Sequence, residues 1–144
     1  IDIAQAAAQQ LQEIGINCTV DIPAQMDWGG QMACLIGWGS PFDADDHTYK
    51  VFGTDKGANY SGYSNEKVDE YLTLARQYED QETRAKYYDL FQEELAKDPA
   101  YAFICYIDAN YVADSDIKGI SEKTVLGHHG VGIFWNIQEW EIVK

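Results

Sequence analysis

IDIAQAAAQQLQEIG (1–15) runs directly into INCTVDI (16–22), and that junction sets the fold class. Ile3, Ala7, Leu11 and Ile14 recur at helical spacing, which marks the core face of an amphipathic helix. Gly15 stands where a helix stops, because glycine enters the left-handed conformation without a steric penalty. INCTVDI is rich in β-branched residues and reads as a strand ended by Pro23. Helix, short Gly-Ile-Asn turn and strand together make an αβ unit, so the expected class is α/β.

Working outward, MDWGGQ (26–31) reads as a polar connection, and MACLIGW (32–38) as a strand buried on both faces. GSPFDADD (39–46) reads as a turn opening a short helix through HTYKVF, with Asp43 or Asp45 as its cap. GTDKGANYSGYS (53–64) reads as loop. Ser64 or Asn65 caps a helix that turns Val68, Leu72 and Ala75 inward. Asp80 or Gln81 opens a longer one with Tyr88, Phe91 and Leu95 inward, closed at Asp98-Pro99. YAFICYI (101–107) reads as a strand that YVADS (111–115) pairs back onto, 119–132 as loop, and IFWNIQEWEIV (133–143) as a final strand.

The 144 residues suit one domain, 1–144. Asp and Glu total 24 against 10 Lys and Arg, a net charge of −14, which argues against nucleic acid and anionic membrane surfaces as partners. No apolar run is long enough to span a bilayer, so no membrane insertion by this segment is expected. The chain opens mid-helix with neither Met nor leader, and the expectation is an excised piece of a longer protein. Cys18, Cys34 and Cys105 lack any CxxC spacing. Cys34 and Cys105, lying in apolar runs, are expected as buried free thiols.

With those elements in place, four blocks carry a resemblance: helix–EIGIN–strand, LIGWGSPFDADD (35–46), NYSGYSNEKVDEYLTLAR (59–76) and ETRAKYYDLFQEELAKDPAYAFICY (82–106). In order and spacing they resemble the C-terminal half of family 5 extracellular solute-binding proteins, the dipeptide, oligopeptide and nickel receptors of ABC importers. Residues 1–115 carry the likeness best, and 116–144 form a weaker C-terminal return segment. The resemblance implies one lobe of a two-lobed periplasmic-binding-protein-like fold, a mixed sheet flanked by helices. It implies a non-enzymatic, extracytoplasmic protein, in the intact form periplasmic or a cell-surface lipoprotein. The implied partners are a peptide or other small solute, the ABC permease subunits and the N-terminal lobe of the same protein. No cofactor is implied. A receptor using the same cleft for signalling or protein recognition, without transport, is the alternative.

For the site, the resemblance places Gly37, Trp38, Gly39 and Ser40 at a strand end facing the cleft. Unpaired backbone there can pair with an extended peptide, and Trp38 adds apolar area and one N–H donor; packing in the core is the other reading of Trp38. Peptide-binding relatives commonly carry an Asp three residues after this Trp, pairing with the ligand's α-ammonium, and here that position is Pro41. Asp43, Asp45 or Asp46 offers a substitute carboxylate, with helix capping the competing role. Asn59 matches a recurring cleft-side Asn whose amide suits a peptide backbone, against an Asx-turn within its own loop. Tyr60 and Tyr63 either line the cleft or pack on the lobe.

Other chemistries lack support. Asp43 and Asp45 are followed by His47 and Thr48 where a calcium loop needs Asp or Asn and then Gly. His128 and His129 are adjacent, so in an extended segment they point opposite ways and read as exposed loop histidines; His47 is distant in sequence, so a joint metal site is not expected. Cys34 has no cation near it in sequence to activate a thiolate, and GxSxG, GxGxxG and the P-loop pattern are absent.

Overall fold

The computed structural model describes residues 1–25, 33–39, 43–108, 110–121 and 132–143. These form two compact units, Ile1–Gly37 and Trp38–Lys144.

In the first unit, helix α1 (Asp2–Glu13) ends as its sequence dictates. Gly15 adopts φ 87°, its N–H donates to Gln12 O at 3.0 Å, and the Ile16 N–H donates to Leu11 O at 2.9 Å. This paired closure is a Schellman motif, and it satisfies two carbonyls that the last turn leaves open. The expected face is not the buried one. Ile3, Ala7 and Ile14 are exposed, and the burial falls on Ala8, with Ala4 and Leu11 partly covered.

In the second unit, three helices build the core. Helix α2 (Ala44–Phe52) is capped by Asp43, whose carboxylate accepts the Asp45 N–H at 2.8 Å. Helix α3 (Glu66–Ala75) is capped by Asn65, which accepts from the N–H groups of Lys67 and Val68. Helix α4 (Gln81–Lys97) is capped by Asp80, which accepts the Thr83 N–H at 2.8 Å. Val68 and Leu72 of α3 meet Phe91 and Leu95 of α4 in a fully buried cluster. Tyr49, Phe52, Tyr63, Tyr71, Tyr88 and Ala100 pack around it. Each such aliphatic side chain removed from water stabilises the fold by roughly 1.5–3 kcal/mol. Asn65 Nδ2 also donates to Asp98 Oδ2 at 3.3 Å, so the start of α3 and the end of α4 are tied.

The sheet departs from expectation. Among the described residues it consists of β1 (Ile117–Lys118) and β2 (Glu141–Ile142), antiparallel, with Ile117 opposite Ile142. Segments 16–22, 33–38, 101–107 and 111–115, expected as strands, are not strands here, and 26–32 lies outside the described residues. The physical reason is that a strand exists through its ladder, and β-branched composition cannot supply the neighbour. In place of the mixed sheet flanked by helices, the described residues form a mostly helical arrangement with one two-stranded sheet. Cys34 and Cys105 lie in those unpaired segments and are exposed free thiols rather than buried ones; Cys18 is partly covered.

The C-terminal segment also differs. Residues Ile133–Glu139 form a 3-10 helix kinked at Asn136 (φ −118°, ψ 28°), not a strand. Buried Asn136 overrides the β-like alternation. Its Nδ2 donates to Gly119 O at 2.8 Å and to Glu139 Oε2 at 3.1 Å, and its Oδ1 accepts the Trp140 indole N–H at 3.1 Å. Gly119, at φ 85°, lies so close to the Glu139 carbonyl that a Cβ could not be accommodated.

Candidate functional site

Trp38 opens the second unit and is more than one-third exposed. Its indole lies parallel to the Tyr60 ring, with centroids 6.2 Å apart and planes 6° apart. Tyr60 comes from the loop between α2 and α3 and is 44% exposed. Two large aromatic faces, 22 positions apart in sequence, thus share an open platform. Such a surface holds planar or cationic groups by stacking and by the ring quadrupole.

His47, in the first turns of α2, completes this group. Its ring centroid is 5.6 Å from that of Trp38, at 49°, and its Nδ1 lies 3.0 Å from Gly39 O. His47 is half-buried and lies in the helix expected through HTYKVF. Sequence reading overlooked it as a neighbour of Trp38. The available signal was its place one turn beyond the Asp43 cap, on the helix that follows Trp38 closely in sequence.

The remaining expected residues divide. Gly37 is exposed at the end of the first unit, and Gly39 contributes the carbonyl just described. Ser40 lies outside the described residues, as do Pro41, His128 and His129. Asp43 is heavily engaged. Besides capping α2, it accepts two hydrogen bonds from Arg84, at 2.6 Å from Nη2 and 3.0 Å from Nη1. The Arg84 guanidinium, with help from the Asp45 N–H, holds the Asp43 carboxyl below its ordinary value, and Asp43 raises Arg84 in turn. Asp45 pairs with Arg76 Nε at 3.2 Å and Asp46 with Lys50 at 3.0 Å.

Asn59 closes its own loop. Its Nδ2 donates to Gly53 O at 2.9 Å and Tyr63 O at 2.7 Å, and its Oδ1 accepts from the Tyr63 N–H and the Ser61 hydroxyl. This network carries Tyr60 at its tip. Tyr63 packs against the α3–α4 core, and burial, followed by the Asp98 charge, pushes its phenol up. An open pocket of about 330 Å³ at the start of α2 is lined by Asp43, Asp45, Arg76, Tyr78 and Arg84, whose charges pair with one another. Among the described residues no group of three or more His, Cys, Asp or Glu could hold a metal ion. No helix among them is long and apolar enough to cross a membrane.

The arrangement has a solved counterpart. The crystal structure of NikZ from Campylobacter jejuni in complex with Ni(L-His) matches with a TM-score of 0.76 and 35% sequence identity, over 98% of this chain. This chain is homologous to a segment of a family 5 solute-binding protein. The match covers 30% of the NikZ chain. No family model and no curated protein sequence matches. NikZ is a non-enzymatic solute-binding protein of an ABC transporter.

Proposed function

We propose that this chain is part of an extracytoplasmic solute-binding protein that delivers a small solute to the permease subunits of an ABC importer. The observation that carries the reading is the exposed Trp38–Tyr60 stack, located at the segment expected to face the cleft, in a chain 35% identical to NikZ. The intact protein closes a second, N-terminal lobe over the solute. Closure needs contacts to both lobes, because a ligand held equally well in open and closed states shifts nothing.

A metal–amino-acid complex is the favoured solute. The solved structure this chain resembles holds Ni(L-His), a metal that carries an amino-acid ligand of its own. Aromatic faces in a chain of net charge −14 suit a planar, cationic complex. A peptide is the second reading, supported by the 33–39 segment, which has no ladder partner among the described residues. A peptide ammonium reaching Asp43 would share the carboxylate with Arg84.

The exposed apolar run Phe103, Ile104, Tyr106 and Ile107 supports a larger parent, in which further polypeptide covers it. Isothermal titration of the full-length protein with Ni(II) plus L-histidine, and separately with a tripeptide, tests the reading. Trp38→Ala should weaken binding of the active probe at least about tenfold, the effect of losing roughly 1.4 kcal/mol of stacking. Undiminished affinity in that variant would remove the platform from the site.

A further inference from the structure

We infer that His47 is a positioning residue of the solute platform, fixing the Gly39 carbonyl and the Trp38 ring together; this rests on the function proposed above. The Gly39 oxygen has no proton to give. The 3.0 Å contact therefore requires the hydrogen on Nδ1, and His47 donates. The same ring packs 5.6 Å from the indole, so one side chain restrains both the backbone after Trp38 and the Trp38 rotamer.

His47 is itself held firmly. Its helix begins at Asp43, gripped by Arg84 of α4 through two bonds, and one position into the helix Asp45 pairs with Arg76 at the end of α3. The orientation of α2 is thus set by both core helices, and His47 passes that orientation to Gly39 and Trp38. A platform held in place before the solute arrives loses less freedom on binding, which raises affinity without adding a contact.

Two substitutions separate the donor from the ring. His47→Phe keeps a ring beside Trp38 and removes the donor. His47→Asn places an amide N–H near the original Nδ1 and removes the ring's outer half. In the full-length protein, titrated with Ni(II) plus L-histidine and with a tripeptide, His47→Phe should bind the active probe about tenfold more weakly, the loss of one well-placed hydrogen bond. His47→Asn should recover most of that loss, and melting temperatures should stay within a few degrees. Wild-type affinity in His47→Phe overturns the inference, and so does His47→Asn binding as weakly as His47→Phe. A wild-type protein that binds neither probe counts against the solute reading instead. In that case long-range proton–nitrogen NMR decides the positioning role: the Nδ1–H tautomer at His47 supports it, and the Nε2–H tautomer overturns it.

Discussion

The carboxylate of Asp43 serves the α2 cap and the Arg84 fork at once, and both lower its pKa from the ordinary 3.8. A depressed carboxyl stabilises the fold fully above its unfolded value, and the contribution is lost as pH falls through the lower folded value. Asp80, lowered by the Thr83 hydroxyl and N–H, acts in the same direction. Asp43→Ala should therefore cost about 1–2 kcal/mol at neutral pH, from the cap and a half-exposed ion pair. Asp43→Asn keeps the cap and should cost less than about 1 kcal/mol. Urea unfolding at pH 7 and below pH 3 checks the sign, since the gap between wild type and Asp43→Asn should narrow in acid. Asn59 gives a second test at this scale. Its amide makes four bonds within the loop, so Asn59→Ala should cost about 2 kcal/mol by thermal or urea denaturation. A substitution that alters solute binding while leaving stability untouched would instead place the amide's main role at the ligand.

Among the elements, the α3–α4 pair holds the only tight cluster of buried side chains described. Leu72→Ala should cost about 2–5 kcal/mol and broaden the unfolding transition. Gly119→Ala should unseat β1 from the Glu139 carbonyl and free the C-terminal segment, seen as faster amide exchange at 117–118 and 141–142. The helices and caps were legible from sequence because their determinants are local. Asp43, Asn65 and Asp80 each act on N–H groups two or three positions away, and Val68, Leu72, Phe91 and Leu95 follow the helical period. The strands were not legible, because β-branched composition marks a segment able to pair while the ladder depends on what lies beside it. Residues 133–139 show the converse, where one buried amide, Asn136, outweighs an alternating pattern. In the candidate site, Trp38 and Tyr60 were recognisable one by one. Their stacking, and the place of His47 beside them, are contacts between segments that no local pattern specifies.

For the whole molecule, charge and apolar exposure oppose each other. A net charge of −14 keeps copies apart, while Phe103, Tyr106, Ile107 and Val112 leave apolar surface exposed, Tyr106 and Val112 almost wholly. The 144-residue chain by itself should associate reversibly, and more strongly as salt screens the repulsion. Sedimentation velocity at low and high salt reads this directly, and a strict monomer at both would show that the charge prevails. The same chain should bind any solute weakly compared with the full-length protein, which adds the contacts of a second lobe.

The tie between Asn65 and Asp98 joins the N-cap of α3 to the C-cap of α4, two helices linked by only five residues. Helices joined by so short a link need little loop closure to pair and do so quickly. During synthesis this hairpin can take shape soon after its second helix leaves the ribosome, ahead of any distant strand. It would then give later-arriving polypeptide an ordered surface on which to settle.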